Sequence, residues 1–361
     1  MPKYYAVPLN SKREVNRAGE VFLDNISTEG DKLAALSVIN NWRAAHHYPL
    51  NTFQVRLRKL TKSINEENLV AQRIKRLASI KLKLERFDGM NMAQIQDIGG
   101  CRAILKNMVE VEQLVNIYKH ESRGIKHKLA KEQDYIQNPK VSGYRGVHLI
   151  YKYKSDKNSV YDDMRVEIQI RTLMQHAWAT AVETVGTFIQ QSLKSSQGEE
   201  DWLRFFIVMS SAMAIRERKP VVPGTSENYE ELKNEIIFLS DKLKVEGHLT
   251  AFRQSIEVIN ETSKVIDAHF YLLELDPIRR RVVVRPYSQT QILTASEDYL
   301  TLEQRILNDS KDAVLVSADS IESLKLAYPN YYLDTEYFLQ HLREIVNEEP
   351  YLDDKGQLHL F

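Results

Sequence analysis

At 361 residues the chain is long for a single small core, and two domains are the natural expectation. Lysine plus arginine equals aspartate plus glutamate at 49 each, so whole-chain charge gives no argument for a nucleic-acid partner. A single cysteine, Cys101, excludes an internal disulfide and any multi-cysteine zinc site, and no run of about 18 apolar residues suggests a membrane span or leader, so a cytoplasmic protein with no membrane partner is expected.

The first ninety residues read as helical. Leu33, Leu36, Ile39 and Trp42 recur at helical spacing from Asp31 to His47, Pro49 is expected to close that helix, and a second should cover Asn51 to Ser63. From Cys101 onward strands and helices mix. Strands are expected over Cys101 to Leu105, Lys126 to Asp134 and Gly146 to Lys154, with helices over Val109 to His120, Thr172 to Gln190 and Asp201 to Arg216. The segment Arg165-Val166-Glu167-Ile168-Gln169-Ile170-Arg171-Thr172 alternates polar and apolar without a break, the period of a strand with Val166, Ile168 and Ile170 facing the core. Residues 218–226 (Arg-Lys-Pro-Val-Val-Pro-Gly-Thr-Ser) have the composition of a linker. Beyond it a charged helical stretch should run from Tyr229 to Lys264 with a break near Gly247. A hairpin is then expected around Asp276-Pro277, followed by a helix (Ser296 to Leu307), a strand (Ala313 to Ser317) and two short helices. The expected class is α/β (α+β), a mixed and mostly antiparallel sheet flanked by helices, because several connections are too short for crossover helices. The expected domains are 1–217, a linker at 218–228, and a small C-terminal α/β module over 229–361.

Four constellations carry chemistry, and each has a plain structural alternative. The cations between Arg56 and Arg86 form either a solvated helix face or an anion-binding surface. Within them Arg73 and Lys75 share a face of extended chain, and Ser79 and Lys83 share one if a helix starts near Ser79; its N-terminus with those cations would suit a triphosphate. Asp97, in Asp97-Ile98-Gly99-Gly100-Cys101-Arg102, is either a turn acid or a holder of a hard cation. In Pro139-Lys140-Val141-Ser142-Gly143-Tyr144-Arg145-Gly146-Val147-His148 a loop tyrosine stands between cations; it either stacks on a nucleobase or pins the loop to the core. His176, Trp178 and Glu183 follow Arg171, and His176 and Trp178 read as packing and hydrogen-bonding residues.

Taken in order, Arg73-x-Lys75…Ser79-Ile80…Lys83, Asp97-x-x-Gly100-x-Arg102, Pro139-Lys140…Gly143-Tyr144…His148 and Glu167-Ile168-Gln169-Ile170-Arg171-Thr172 resemble the RelA/SpoT-homologue pyrophosphokinase domain, over about Leu33 to Arg216. The resemblance implies a nucleotidyltransferase-like synthetase fold and transfer of pyrophosphate from ATP to a nucleotide 3′-hydroxyl. By matched position, Arg73 and Arg102 would flank adenine, and Lys75, Ser79, Lys83 and, at looser spacing, Arg86 would hold phosphates. Asp97 and Glu167 would bind Mg²⁺, with Glu167 also the base. Tyr144 would stack on the acceptor base beside Lys140, His148 and Gln169. The family's hydrolase motif, a His-Asp pair, is absent from the ten histidines, so no degrading activity is expected.

The loop Ser142–His148, the Trp42–His47 region and the C-terminal module are further similar to CapRel-type fused toxin–antitoxins. That branch implies the 3′-CCA end of tRNA as acceptor, blocked translation, and a C-terminal domain that restrains the enzyme until a phage capsid-type protein relieves it. Tyr328 and Tyr331, in Tyr328-Pro329-Asn330-Tyr331, would then press on the ATP site; alternatively they pack the small domain's own core. A (p)ppGpp synthetase using GDP or GTP and a non-catalytic phage-sensing module are the competing readings.

Overall fold

The computed structural model describes residues 5–120, 126–192, 199–254, 257–260, 268–306, 309, 311–318, 320–329, 332, 335–347, 351–352 and 358–359. Three helices open the chain, α1 (Lys12–Leu23), α2 (Glu29–Ala45) and α3 (His47–Ile64). The first is absent from the sequence reading, although the reciprocal Ser11–Glu14 capping box that starts it is a legible signal. Pro49 does not close a helix. It stands in the first turn of α3, where its missing N–H leaves no helical hydrogen bond unmade, and His46 alone separates α2 from α3.

The rest of the N-terminal half follows as β1 (Leu69–Ile74), α4 (Leu77–Arg86), β2 (Gly99–Leu105), α5 (Met108–His120), β3 (Lys128–Asp134), β4 (Val147–Lys152), β5 (Arg165–Thr172), α6 (Leu173–Ser192) and α7 (Glu199–Arg216). The C-terminal part contributes α8 (Tyr229–Leu243), α9 (Val245–Gln254), β6 (Glu257–Asn260), β7 (Ala268–Asp276), β8 (Arg281–Ser288), α10 (Ile292–Ile306), β9 (Asp312–Ser317), α11 (Ile321–Ala327), α12 (Glu336–Val346) and a small pair, β10 (Tyr351–Leu352) with β11 (Leu358–His359). Two expectations fail here. The break after α8 falls at Lys244, which takes the left-handed conformation (φ 48°), and Gly247 lies inside α9. Residues 257–260 are a strand rather than a continued helix, because Glu257 to Asn260 pair in parallel with Arg281 to Val284; residues 261–264 lie outside the described residues.

Among the described residues nine strands form one sheet in the order β3-β4-β5-β2-β1-β9-β7-β8-β6. Of its pairs there, β2–β5 and β6–β8 are parallel and the others antiparallel, so the sheet is mixed and mostly antiparallel as expected. The sheet continues across both halves because β1 pairs with β2 on one edge and with β9 on the other, through Gln72↔Ser317 and Arg73↔Val316. The helices also mix the halves. α6 and α7 share a core with α8, α9 and α12, in which Phe338 meets Phe205 and Phe206 at ring separations of 6.2 and 5.8 Å. Among the described residues no helix is long and apolar enough to cross a membrane.

A buried polar knot fastens α10 to the start of α4. Glu303, on α10, accepts hydrogen bonds from the Arg43 guanidinium (2.6 Å), the Leu77 backbone N–H (2.8 Å) and the Tyr299 hydroxyl (2.8 Å). Arg43 is 1% exposed and also donates twice to the Lys75 carbonyl, at 3.1 and 3.0 Å. Removing one partner of a buried ion pair strands the other charge away from water. Glu303→Ala should therefore lower the unfolding free energy by about 3–5 kcal/mol, read as a lower urea midpoint. A loss below about 1 kcal/mol, the ordinary worth of an exposed pair, would show that solvent reaches Arg43 in solution.

Candidate functional site

Three neighbouring strands lay out the polar face of the N-terminal half. Register places Arg73 of β1, Gly100 of β2 and Glu167 of β5 in one row, and Ala71, Arg102 and Gln169 in the next. A Cβ at Gly100 would meet nothing within 4 Å, so this glycine leaves open space between Arg73 and Glu167. The opening expectation for β5 holds for its apolar side, with Val166, Ile168 and Ile170 fully buried. Its polar side is not a solvated face: Glu167 is 8% and Arg171 3% exposed.

This face floors a cavity of about 810 Å³. One wall is cationic. Asp97 sits in it between two ammonium groups, Lys75 Nζ at 2.6 Å from Oδ2 and Lys83 Nζ at 2.9 Å from Oδ1. Burial alone would push the Asp97 carboxyl up, but the two lysines outweigh it and hold the group far below the usual carboxylate range. Burial also lowers Lys75, which Asp97 opposes. Lys75 is brought there by the turn after β1, where its N–H donates to the Ile98 carbonyl at 2.8 Å. Arg73, Lys83, Arg86 and Arg102 line the cavity, and Arg86 lies over the Phe87 ring at 5.6 Å. Ser79 stands one turn before Lys83 on α4 and is not part of the cavity wall, so the structure does not bring it to the other phosphate candidates.

The other wall comes from β3, β4 and the glycine loop. The Tyr144 hydroxyl lies 2.7 Å from His148 Nε2, and His148 Nδ1 lies 2.9 Å from Glu167 Oε1. A carboxylate only accepts, so Nδ1 carries a proton and donates to Glu167. Gln169 donates to Glu167 Oε2 at 2.7 Å, and Arg102 Nε donates to Gln169 Oε1 at 3.4 Å. Burial raises the Glu167 carboxyl, yet the His148 hydrogen bond and charge more than reverse that and leave it below its ordinary value. Lys140 Nζ sits 4.2 Å from the Tyr135 ring and 5.0 Å from the Tyr144 ring, a cation–π arrangement.

The loop owes its shape to helix α7. Ser210 Oγ donates to the Gly143 carbonyl at 2.6 Å and accepts from Arg145 Nε at 3.0 Å. Gly143 has φ +89°, and a Cβ there would come within 2.8 Å of the Trp178 ring, so only glycine fits. Trp178 is itself fixed by donating to the Phe206 carbonyl at 2.8 Å.

Several wall residues escape a sequence reading. Lys131, Gln133 and Tyr135 reach the cavity because β3 pairs with β4, with Gln133 opposite His148. Arg171 and Glu183, which the sequence reading did single out, also line it. Of the two C-terminal tyrosines, Tyr331 lies outside the described residues. Tyr328 is 4% exposed, donates to the Gln72 carbonyl at 2.9 Å, and borders a narrow space shared with Arg73, Arg102, Asp97 and Glu167. It also packs with Tyr271, Leu324 and Ala71, so it touches both the module's own core and the edge of the site.

Mg²⁺ is suited to one or two carboxylates plus phosphate oxygens and water. Asp97 and Glu167 both face the cavity and are held ionised, which fits that donor set. Among the described residues no group of three or more histidines, cysteines or acids forms a closed metal cage, so phosphates would have to complete the shell.

Ionised carboxylates, clustered cations and two tyrosines thus line one cavity of an α/β protein. Residues 72–187 match the family described as the region found in RelA / SpoT proteins. Over 87 residues the chain is 37% identical to GTP pyrophosphokinase YwaC of Bacillus subtilis strain 168, covering 24% of this chain and 40% of that one. Over 113 residues it is 35% identical to GTP pyrophosphokinase YjbM of the same organism, covering 31% and 52%. The chain thus spans about half or less of the length of these curated relatives. Among solved structures, small alarmone synthetase 1 of Bacillus subtilis bound to its product pppGpp is 25% identical, covering 48% of this chain and 88% of that one with a TM-score of 0.38. A GTP pyrophosphokinase family protein from Streptococcus pneumoniae is 24% identical, covering 46% and 85%, with a TM-score of 0.37.

Asp97 and Glu167 titrate lower in the folded chain than in the unfolded one. Their pairing therefore contributes fully above the unfolded carboxylate range near about 4 and is lost as pH falls through the depressed folded values. Asp97→Asn should flatten the acid limb of a Tm-against-pH profile; an unchanged acid limb would show that the Lys75–Asp97–Lys83 cluster does not form in solution.

Proposed function

We propose that the chain is an ATP-dependent pyrophosphokinase that moves the β,γ-pyrophosphoryl group of ATP to a 3′-hydroxyl. The observation that carries this is the single cavity holding Glu167, ionised and oriented by His148 and Gln169, opposite the Asp97–Lys75–Lys83 cluster. The region match at residues 72–187 supports it. In this reading Arg73 and Arg102 flank the adenine, and Lys75, Lys83 and Arg86 turn to the phosphates. Ser79, set back on α4, joins only through the N-terminal turn of that helix. Mg²⁺ held by Asp97 and Glu167 would neutralise phosphate charge. Tyr144 carries the acceptor base, with Lys140, His148 and Gln169 around it. Glu167 takes the proton from the 3′-hydroxyl, the 3′-oxygen forms a bond to the β-phosphorus, and the bond from that phosphorus to the α,β-bridging oxygen breaks to release AMP. Positioning and charge neutralisation supply most of the rate in such transfers.

The acceptor in this proposal is the 3′ end of tRNA. The cations Lys131 and Lys140 on the acceptor wall suit an extended phosphate backbone. The names of the relatives favour a second reading, GDP or GTP as acceptor and (p)ppGpp as product. ATP labelled on its β-phosphate, offered with deacylated tRNA or with GDP, separates them by where label appears. Glu167→Gln should lower transfer by roughly 10²–10⁴-fold, the usual worth of a positioned base. Toxicity on expression that is unchanged by Glu167→Gln would leave a non-catalytic, phage-sensing module as the better account.

The proposal includes restraint by the C-terminal part, lifted by a phage capsid-type protein in a toxin–antitoxin cycle. Its support is the placement of Tyr328 against the Arg73–Arg102 end of the site and of Glu303 on the first turn of α4. Cutting the chain near Pro220 is a poor test, because α8, α9 and α12 cover the core of α6 and α7. In the full chain Tyr328→Ala should raise transfer severalfold and increase toxicity on expression. Transfer unchanged in a folded Tyr328→Ala protein would assign that side chain to core packing alone.

A further inference from the structure

Arg171 is a buried cation without a counter-ion. It lies on the polar face of β5, is 3% exposed, and lines the large cavity. Its one hydrogen bond is to a neutral group, since Nη2 donates to His176 Nδ1. Its Nε is buried and has no hydrogen-bond partner among the described residues. Among the described residues no carboxylate forms an ion pair with it. The charged groups facing it are Arg102 and Arg73, which repel it, and Glu183, with the Tyr144 phenol beside them.

His176 fixes the arrangement. Its Nε2 lies 3.2 Å from the Leu326 carbonyl, so that nitrogen carries the proton and Nδ1 presents its lone pair to Arg171. Burial, with Arg171 and Arg102 next to it, drives this imidazole well below its usual range and keeps it neutral. Leu326 belongs to α11, two residues before Tyr328. A carbonyl of the C-terminal part thus orients the ring that orients the guanidinium.

A buried guanidinium costs free energy unless an anion meets it, and a planar fork with a free N–H matches a phosphate oxygen better than any other small anionic group of a nucleotide. We propose that Arg171 is a phosphate-binding residue of this cavity, taking an oxyanion of a bound nucleotide, with His176 as its positioning residue and the Leu326 carbonyl as the C-terminal hold on that pair. The proposal deepens the nucleotide-transfer reading of the same site, but binding alone tests it.

Titration calorimetry on the full chain with inorganic pyrophosphate, and separately with ATP, is the experiment. Arg171→Met, which keeps volume and removes charge, should weaken pyrophosphate binding at least tenfold. Arg171→Lys keeps the charge without the fork and should lose severalfold; it is read in the same way should the methionine variant fail to fold. Glu183→Gln should leave affinity unchanged or tighten it. His176→Phe should weaken binding while Arg171 remains in place. Pyrophosphate and ATP affinities unchanged in folded Arg171→Met and Arg171→Lys would overturn the proposal. So would equal losses in Arg171→Met and Glu183→Gln, which would make the two a structural pair. A wild-type chain that binds through Arg171 yet transfers label to no acceptor would sink the function and leave the site standing. A chain that transfers label with Arg171 irrelevant to binding would do the reverse.

Discussion

Strand β1 is paired along both edges, and everything else about this molecule hangs on that. β2 on one side carries the row that leads to Glu167; β9 on the other side brings in the C-terminal strands. A strand with both edges satisfied cannot shift without breaking hydrogen bonds on two sides, so Arg73 and the Lys75 turn at its end are held in one geometry. The same turn is gripped from a third direction, because Arg43 holds the Lys75 carbonyl and Glu303 holds the N–H of Leu77, two residues on. The cationic wall of the cavity is thereby held partly by the C-terminal half of the chain.

The site balances charge without neutralising it locally. Asp97 is tied to two lysines, and Glu167 to a histidine and an amide, so both acids remain ionised despite burial. The arginines face one another across the floor, and Arg171 has only a neutral imidazole to hold. Such an arrangement is costly until an anion enters, which is the usual condition of a site whose ligand is a polyphosphate. The wall that carries Tyr144 is stiffened differently. Gly143 is closed in by Trp178 and Ser210, so the loop that carries Tyr144 rests on α7 as much as on its own strand.

Much of the site was legible because its residues recur in short local patterns. Asp97-x-x-Gly100-x-Arg102 and the alternation around Glu167 each put their polar groups on one face of one strand, and that is a property of the chain alone. The same local logic found most helices of the first half, but missed β1, which is buried on both faces and too short to alternate. It also extended α9 into residues 257–260, because Glu257 to Asn260 pair only with β8, more than twenty positions on. Ser79 was placed with the phosphate ligands by helical spacing, and the cavity wall passes it by.

By itself the sequence determined the class of the fold, the polar face of β5, the glycine loop and most of the charged residues that meet in the cavity. Each depends on periods of two or four residues and on turn chemistry, which act between near neighbours. Only the tertiary structure decided that the C-terminal strands continue the N-terminal sheet, that Tyr328 reaches the Arg73–Arg102 end of the site, and that Arg171 is buried with no ion-pair partner among the described residues. Those facts depend on contacts between residues that are distant in the chain, such as Gln72 with Tyr328 and Arg43 with Glu303. No local pattern encodes such contacts, because burial and partner choice are settled only when the layers close on one another.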